Sequence, residues 1–178
     1  MDFQQTFFEI FQLPESYDVD VDQLSSSYLE LQKRIHPDNF SSATDTEKRH
    51  SLQWATHVNE AFTTLKSPLR RAIYMLEQRG LSIEHNPNLD PEFLMSQIEL
   101  REELEEIGEV APTETDNALS RLDAFKASVK KTLAGLENAF AQQFDAELAA
   151  AEQTTYKMQF MNKLLVAADQ LEEQLLDY

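Results

Sequence analysis

"LQKRIHPDNF" occupies Leu31 to Phe40, between two stretches of helical periodicity. Pro37 directly follows His36, and a proline ring disfavours helix at the residue before it. Leu24, Tyr28, Leu31 and Ile35 lead into the stretch at helical spacing. A second pattern resumes near Asp45, where Trp54, Val58, Ala61 and Leu65 form one stripe, widened by Leu52, Ala55 and Phe62. The segment is thus a rigid, charged corner between two helices. Such a corner either only turns the chain, with Pro fixing the backbone and Asp bonding back to it, or it presents His36, Pro37 and Asp38 to a partner. Lys33 and Arg34 close the first helix, where cations suit the dipole and where they could also meet an acidic partner.

Helical signals continue on both sides. A short helix is expected over about Phe3 to Phe11, then Val21 to Ile35 capped by Asp20, then Asp45 to Leu65 with a Thr44/Glu47 capping box. Ser67-Pro68 opens a fourth helix ending near Gly80. "GLSIEHNPNLDP", Gly80 to Pro91, holds a Gly, two Pro and two Asn, and reads as a boundary. Beyond it, Asp90-Pro91-Glu92 starts a helix that runs to about Ile107 and stops at Gly108. A long helix is expected from about Glu114 to Ala150, and a last one over about Thr154 to Leu176. Three such antiparallel helices pack as a bundle. The expected fold is all-α, with a helical-hairpin domain over 1–78, a linker over 79–90 and a three-helix bundle over 91–178.

Charge divides along the same boundary. Residues 1–80 carry 8 Lys and Arg against 12 Asp and Glu, whereas residues 81–178 carry 7 against 20. The net charge of -17 argues against nucleic acid as a partner, because phosphate binding needs clustered cations. With no Cys, the chain offers no disulfide, thiol nucleophile or Cys-ligated metal centre. No apolar run approaches the roughly 20 residues that span a membrane. The start, MDFQQTFFEIF, lacks a basic n-region and a small-residue cleavage site. A soluble, cytoplasmic protein without membrane attachment is the expectation. No Gly-rich phosphate loop, nucleophile elbow or His-Glu-x-x-His motif occurs, so neither an enzyme nor a bound cofactor or metal is expected. Glu47 and His50 match the Glu-x-x-His spacing of di-iron bundles, but no second copy exists.

"FLMSQIELREELEEI", Phe93 to Ile107, carries a second unusual pattern. At ~100° per residue, Phe93, Leu100, Leu104 and Ile107 share one side. Leu94, Met95 and Ile98 fall largely outside that stripe, on the side of Glu99, Glu102 and Glu106. Three apolar side chains on an acidic face either pack under another helix or form an anchor for a basic partner.

"LQKRIHPDNF" followed by "VNEAFTTLKSPLRRAIY" resembles the J-domain of co-chaperones that serve DnaK-type ATPases, over about residues 1–78. The second half, including "FLMSQIELREELEEI" and the ending "LEEQLLDY", resembles the HscB co-chaperones of iron–sulfur cluster assembly, and that resemblance spans essentially the whole chain. The first resemblance implies docking on a DnaK-type, HscA-like ATPase through His36, Pro37 and Asp38, with Lys33 and Arg34 beside them. The second implies binding of an IscU-like cluster scaffold through Leu94, Met95, Ile98, Glu99, Glu102 and Glu106, and through Phe160 in "QFMNKL". For Phe160 the residue pattern points elsewhere: Phe160, Leu164, Ala167 and Leu171 share a stripe, which makes it a core position. A J-domain protein with a different or general client is the alternative.

Overall fold

The computed structural model describes residues 2–36, 44–83, 89–109, 111 and 114–177. They form helices and no strand. In chain order these are α1 (Phe7–Ile10), α2 (Val21–Ile35), α3 (Asp45–Lys66), α4 (Pro68–Gln78), α5 (Pro91–Gly108), α6 (Thr115–Gln143) and α7 (Leu148–Leu176). The chain divides into two compact units, Met1–Gln78 and Arg79–Tyr178.

In the first unit the helix starts are chemically marked. Asp20 Oδ1 accepts from the backbone N–H groups of Asp22 and Gln23, both at 3.0 Å. Thr44 and Glu47 form the reciprocal box: the Glu47 N–H donates to Thr44 Oγ1 at 3.3 Å, and the Thr44 N–H donates to Glu47 Oε2 at 2.8 Å. These side chains supply acceptors for N–H donors that a helix start otherwise leaves unmatched. The Thr44 amide also holds the Glu47 carboxyl below its ordinary range.

The first helix is shorter than the sequence suggests. Thr6 and Glu9 make a second capping box, with Thr6 N–H to Glu9 Oε2 at 2.7 Å, so the helix begins only at Phe7. It ends where Gln12 takes a left-handed φ of 56°.

Helices α2 and α3 are joined sideways by stacking of Tyr28 on Phe62, with ring centroids 4.0 Å apart. The Tyr28 hydroxyl and Gln32 Nε2 both donate to Asn59 Oδ1, at 3.0 and 2.6 Å. Leu24, Val58, Leu65 and Ala72 are completely buried between the helices. Arg71 is buried with them; its Nε donates to the Leu65 carbonyl at 2.8 Å and its Nη1 donates to the Tyr17 carbonyl. Tyr74 of α4 stacks on Phe7 at 4.4 Å and accepts from the Phe7 N–H at 2.9 Å.

The second unit is a three-helix bundle. Phe93, Leu104 and Ile107 of α5, Ala118, Leu122, Phe125 and Val129 of α6, and Phe160, Met161, Leu164, Ala168 and Leu175 of α7 share one core. Asp90 starts α5, accepting from the Phe93 N–H at 2.7 Å, and its other oxygen pairs with Lys157 of α7 at 2.9 Å. Lys126 ties α6 to α7 by donating to Asp169 at 2.6 Å and Glu172 at 2.9 Å. Gly108 allows α5 to approach α7 at its end: a Cβ there would lie 3.0 Å from Leu171 Cδ1.

The long helix is shorter than expected and the last one longer. Helix α6 stops at Gln143, and α7 already begins at Leu148. The turn contains neither Gly nor Pro. Tertiary contacts hold it instead: Arg79 pairs with Asp145 at 3.0 Å and lies 4.7 Å over the Phe144 ring. The Thr154 hydroxyl of α7 reaches back to Gln143 Oε1 at 2.7 Å. Gly135 stays inside α6 and does not break it.

Candidate functional site

At the end of α2, His36 is the C-cap, with an extended ψ of 136°. The constraint from the following proline predicts this conformation. His36 is exposed, and so are Lys33 and Arg34 in the last turn of the helix. The helix therefore delivers three polar side chains at its carbonyl end, where cations are electrostatically favoured. Pro37 and Asp38 lie outside the described residues.

In the second unit, α5 sorts its side chains by angle. Phe93, Leu104 and Ile107 point into the bundle, with Leu100 half-buried against the same core. Leu94, Met95 and Ile98 are left uncovered, at 46%, 59% and 51% exposure. Within the second unit, none of the three is packed beneath a neighbouring helix. Glu99, Glu102 and Glu106 are exposed beside them. Met95, Glu99, Glu102 and Glu106 follow one another at three- and four-residue steps, which places them on one ridge of the helix.

Phe160 is not one of the exposed residues of this ridge. It is 6% exposed and sits in the bundle core. Its ring meets Phe93 edge to face at 5.8 Å, and the Arg101 guanidinium covers it at 5.4 Å. The resemblance implies a scaffold contact at this position; the structure turns the ring inward, at the edge of an open groove between α5 and α7. The repeat Phe160, Leu164, Ala167, Leu171 puts the ring on the inward side of α7, under α5. From there it supports the helix that carries the exposed residues.

Glu47, the acidic member of the Glu-x-x-His pair, spends its carboxylate on the Thr44 cap. Among the described residues, no three His, Asp or Glu side chains gather as a metal site. No helix among them is long and apolar enough to cross a membrane.

Comparison with known proteins agrees with this architecture. Residues 89–169, which include α5 and most of α7, match the family model of the HSCB C-terminal oligomerisation domain. The chain is 40% identical over 176 residues to the co-chaperone protein HscB homolog of Photobacterium profundum, covering 96% of this chain and 98% of that protein. The corresponding protein of Aliivibrio salmonicida is 39% identical over 173 residues, covering 95% and 98%. The chain belongs to the HscB co-chaperone family. Among solved HscB structures, that from Vibrio cholerae superposes with a TM-score of 0.84 at 38% identity, covering 96% of this chain and 99% of that one. Human HscB shares the fold, with a TM-score of 0.86 at 24% identity over 100% of this chain and 86% of the human one. This HscB-family member is therefore a co-chaperone with the two-part helical architecture that its sequence suggested.

Proposed function

We propose that this co-chaperone stimulates the ATPase of a DnaK-type, HscA-like chaperone and delivers to it an IscU-like iron–sulfur scaffold protein. In this reading residues 1–78 act as the J-domain, 79–90 connect, and 91–178 bind the client. His36, Pro37 and Asp38, with Lys33 and Arg34, dock on the chaperone. Leu94, Met95 and Ile98 anchor the scaffold, and Glu99, Glu102 and Glu106 attract basic groups around that anchor. The protein acts in the cytoplasm, without a cofactor, by changing another protein's hydrolysis rate.

The observation that carries this reading is the exposure of Leu94, Met95 and Ile98 on a helix that also exposes Glu99, Glu102 and Glu106 beside them. Uncovered large apolar side chains set together mark interaction surfaces. A carboxylate rim adds selectivity for a basic partner and speeds encounter. Linking two binding units in one chain raises the effective concentration of client at the chaperone, without any new contact between them.

Calorimetric titration of the scaffold into the full chain tests the assignment. Met95→Ala with Ile98→Ala is expected to weaken scaffold binding by at least tenfold while leaving basal chaperone stimulation unchanged. Asp38→Asn is expected to do the reverse. Wild-type scaffold affinity in the Met95→Ala/Ile98→Ala chain would refute this patch as the anchor, and absence of binding by the unaltered chain would favour a J-domain protein with another client.

A further inference from the structure

Beside the exposed patch, α5 and α7 leave an open groove of about 320 Å³. Leu104, Phe160 and Leu164 give it an apolar floor, and Arg101, Glu105 and Lys163 form its rim. The groove adjoins the patch along one ridge of α5. Leu94, Ile98, Arg101 and Glu105 succeed one another by four, three and four residues, the spacing that aligns side chains on a helix. Arg101 lies three residues beyond Ile98, about 4.5 Å further along the axis.

Two of the seven basic residues of 81–178, a stretch that also carries 20 acids, stand at this one rim. Two of the other five basic side chains there are committed elsewhere: Lys126 holds Asp169 and Glu172, and Lys157 holds Asp90. Arg101 and Lys163 form no ion pair among the described residues. Arg101 instead lies over Phe160, its guanidinium carbon 5.4 Å from the ring centroid. A cation–π contact of this kind favours the guanidinium at the ring, and the planar fork of N–H donors it carries matches a carboxylate.

We propose that this groove receives an apolar segment of the client scaffold that bears a carboxylate, with Arg101 and Lys163 as the residues that recognise the anion. The inference rests on the scaffold reading above and extends it: the client surface would be basic where it meets Glu99, Glu102 and Glu106, and acidic where it meets the groove. Such an alternation fixes register, because sliding the partner by one helical turn would bring like charges together.

The sign of a charge reversal distinguishes this from a bystander groove. If the partner were simply basic, replacing a cation here by a glutamate would strengthen binding. If the groove takes a carboxylate, the same change weakens it. Full-length Lys163→Glu, Arg101→Glu and, as reference, Ile98→Ala chains are titrated with the purified scaffold, with thermal melts of each. Lys163 is exposed and forms no hydrogen bond or ion pair among the described residues, so its variant is expected to keep the fold, and it decides the question.

Lys163→Glu is expected to weaken binding about tenfold, the scale of one charge-assisted hydrogen bond. Arg101→Glu should weaken it at least as much. Unchanged or tighter binding by Lys163→Glu, with Ile98→Ala impaired, overturns the groove proposal and leaves the patch standing. Absence of binding by the unaltered chain overturns both.

Discussion

Phe93 at the start of α5 and Phe160 in the middle of α7 meet edge to face, ring centroids 5.8 Å apart and planes at 86°. The pair locks the helix that carries the exposed anchor residues onto the bundle. Phe160→Ala is expected to destabilise the second unit by about 3–5 kcal/mol, the range for removing a buried aromatic side chain. Met95→Ala and Ile98→Ala, at exposed sites, should stay within about 0.5 kcal/mol of the wild type. Urea denaturation followed by circular dichroism separates the two classes. Scaffold binding lost in Phe160→Ala should be at least as large as the loss of folded protein, since the ring also floors the groove beside α5.

Arg71 makes the corresponding prediction for the first unit. Its guanidinium is buried, donates to the carbonyls of Leu65 and Tyr17, and lies 5.3 Å over the Tyr17 ring. Arg71→Met keeps much of the volume but leaves two carbonyls without these donors, each worth about 1–3 kcal/mol when buried and unmatched. A clear loss of stability is expected in denaturant titration. Arg71→Lys should not restore it, because an ammonium cannot reproduce the fork. Equal stability of the Lys variant and the wild type would contradict this role.

The Asp90 carboxyl is held below its ordinary range, first by the Phe93 amide and then by Lys157. A carboxyl depressed in the folded state stabilises the fold above its unfolded pKa, about 3.9, and that contribution disappears as pH falls through the lower folded value. Melting temperature measured from pH 7 down to pH 3 should therefore fall less steeply in Asp90→Asn than in the wild type. At pH 7 the variant should melt somewhat lower, since Asn still caps the helix but no longer pairs with Lys157. Parallel curves would refute the assignment.

The acidic rim predicts a salt effect. If Glu99, Glu102 and Glu106 attract a basic client surface, raising ionic strength from about 0.05 to 0.5 M should slow association, because exposed charges are screened beyond a Debye length. Replacing all three by Gln should flatten that dependence, as stopped-flow kinetics would show. An unchanged slope would mean that the apolar anchor acts alone.

Local chemistry made most of the fold readable. The Asp20, Thr44 and Asp90 caps and the Ser67-Pro68 start are short-range signals, and the helices begin where they fall. The turn between α6 and α7 was not readable. Phe144–Glu147 carries no breaker, and what bends the chain there includes Arg79, 66 residues from Asp145 in sequence. The α1 start was missed although Thr6 and Glu9 spell a capping box, because the apolar residues around Phe3 already suggested helix. Periodicity isolated Leu94, Met95 and Ile98 from the core stripe but could not say whether another helix covered them. It placed Phe160 inward, as the structure does. Arg101 and Lys163 drew no attention because they are single charges 62 positions apart, and only the packing of α5 on α7 puts them on one groove.

Steady-state ATP hydrolysis by a DnaK-type chaperone tests the division of labour most directly. It is measured with this chain alone, with the scaffold alone, and with both together. The account predicts stimulation by the chain, and stimulation by chain and scaffold together that exceeds the sum of their separate effects. In Met95→Ala/Ile98→Ala that synergy should vanish while the basal response persists, and in Asp38→Asn the response itself should be lost although scaffold still binds. Equal loss of both activities in either variant, or additive effects with the wild type, would contradict it.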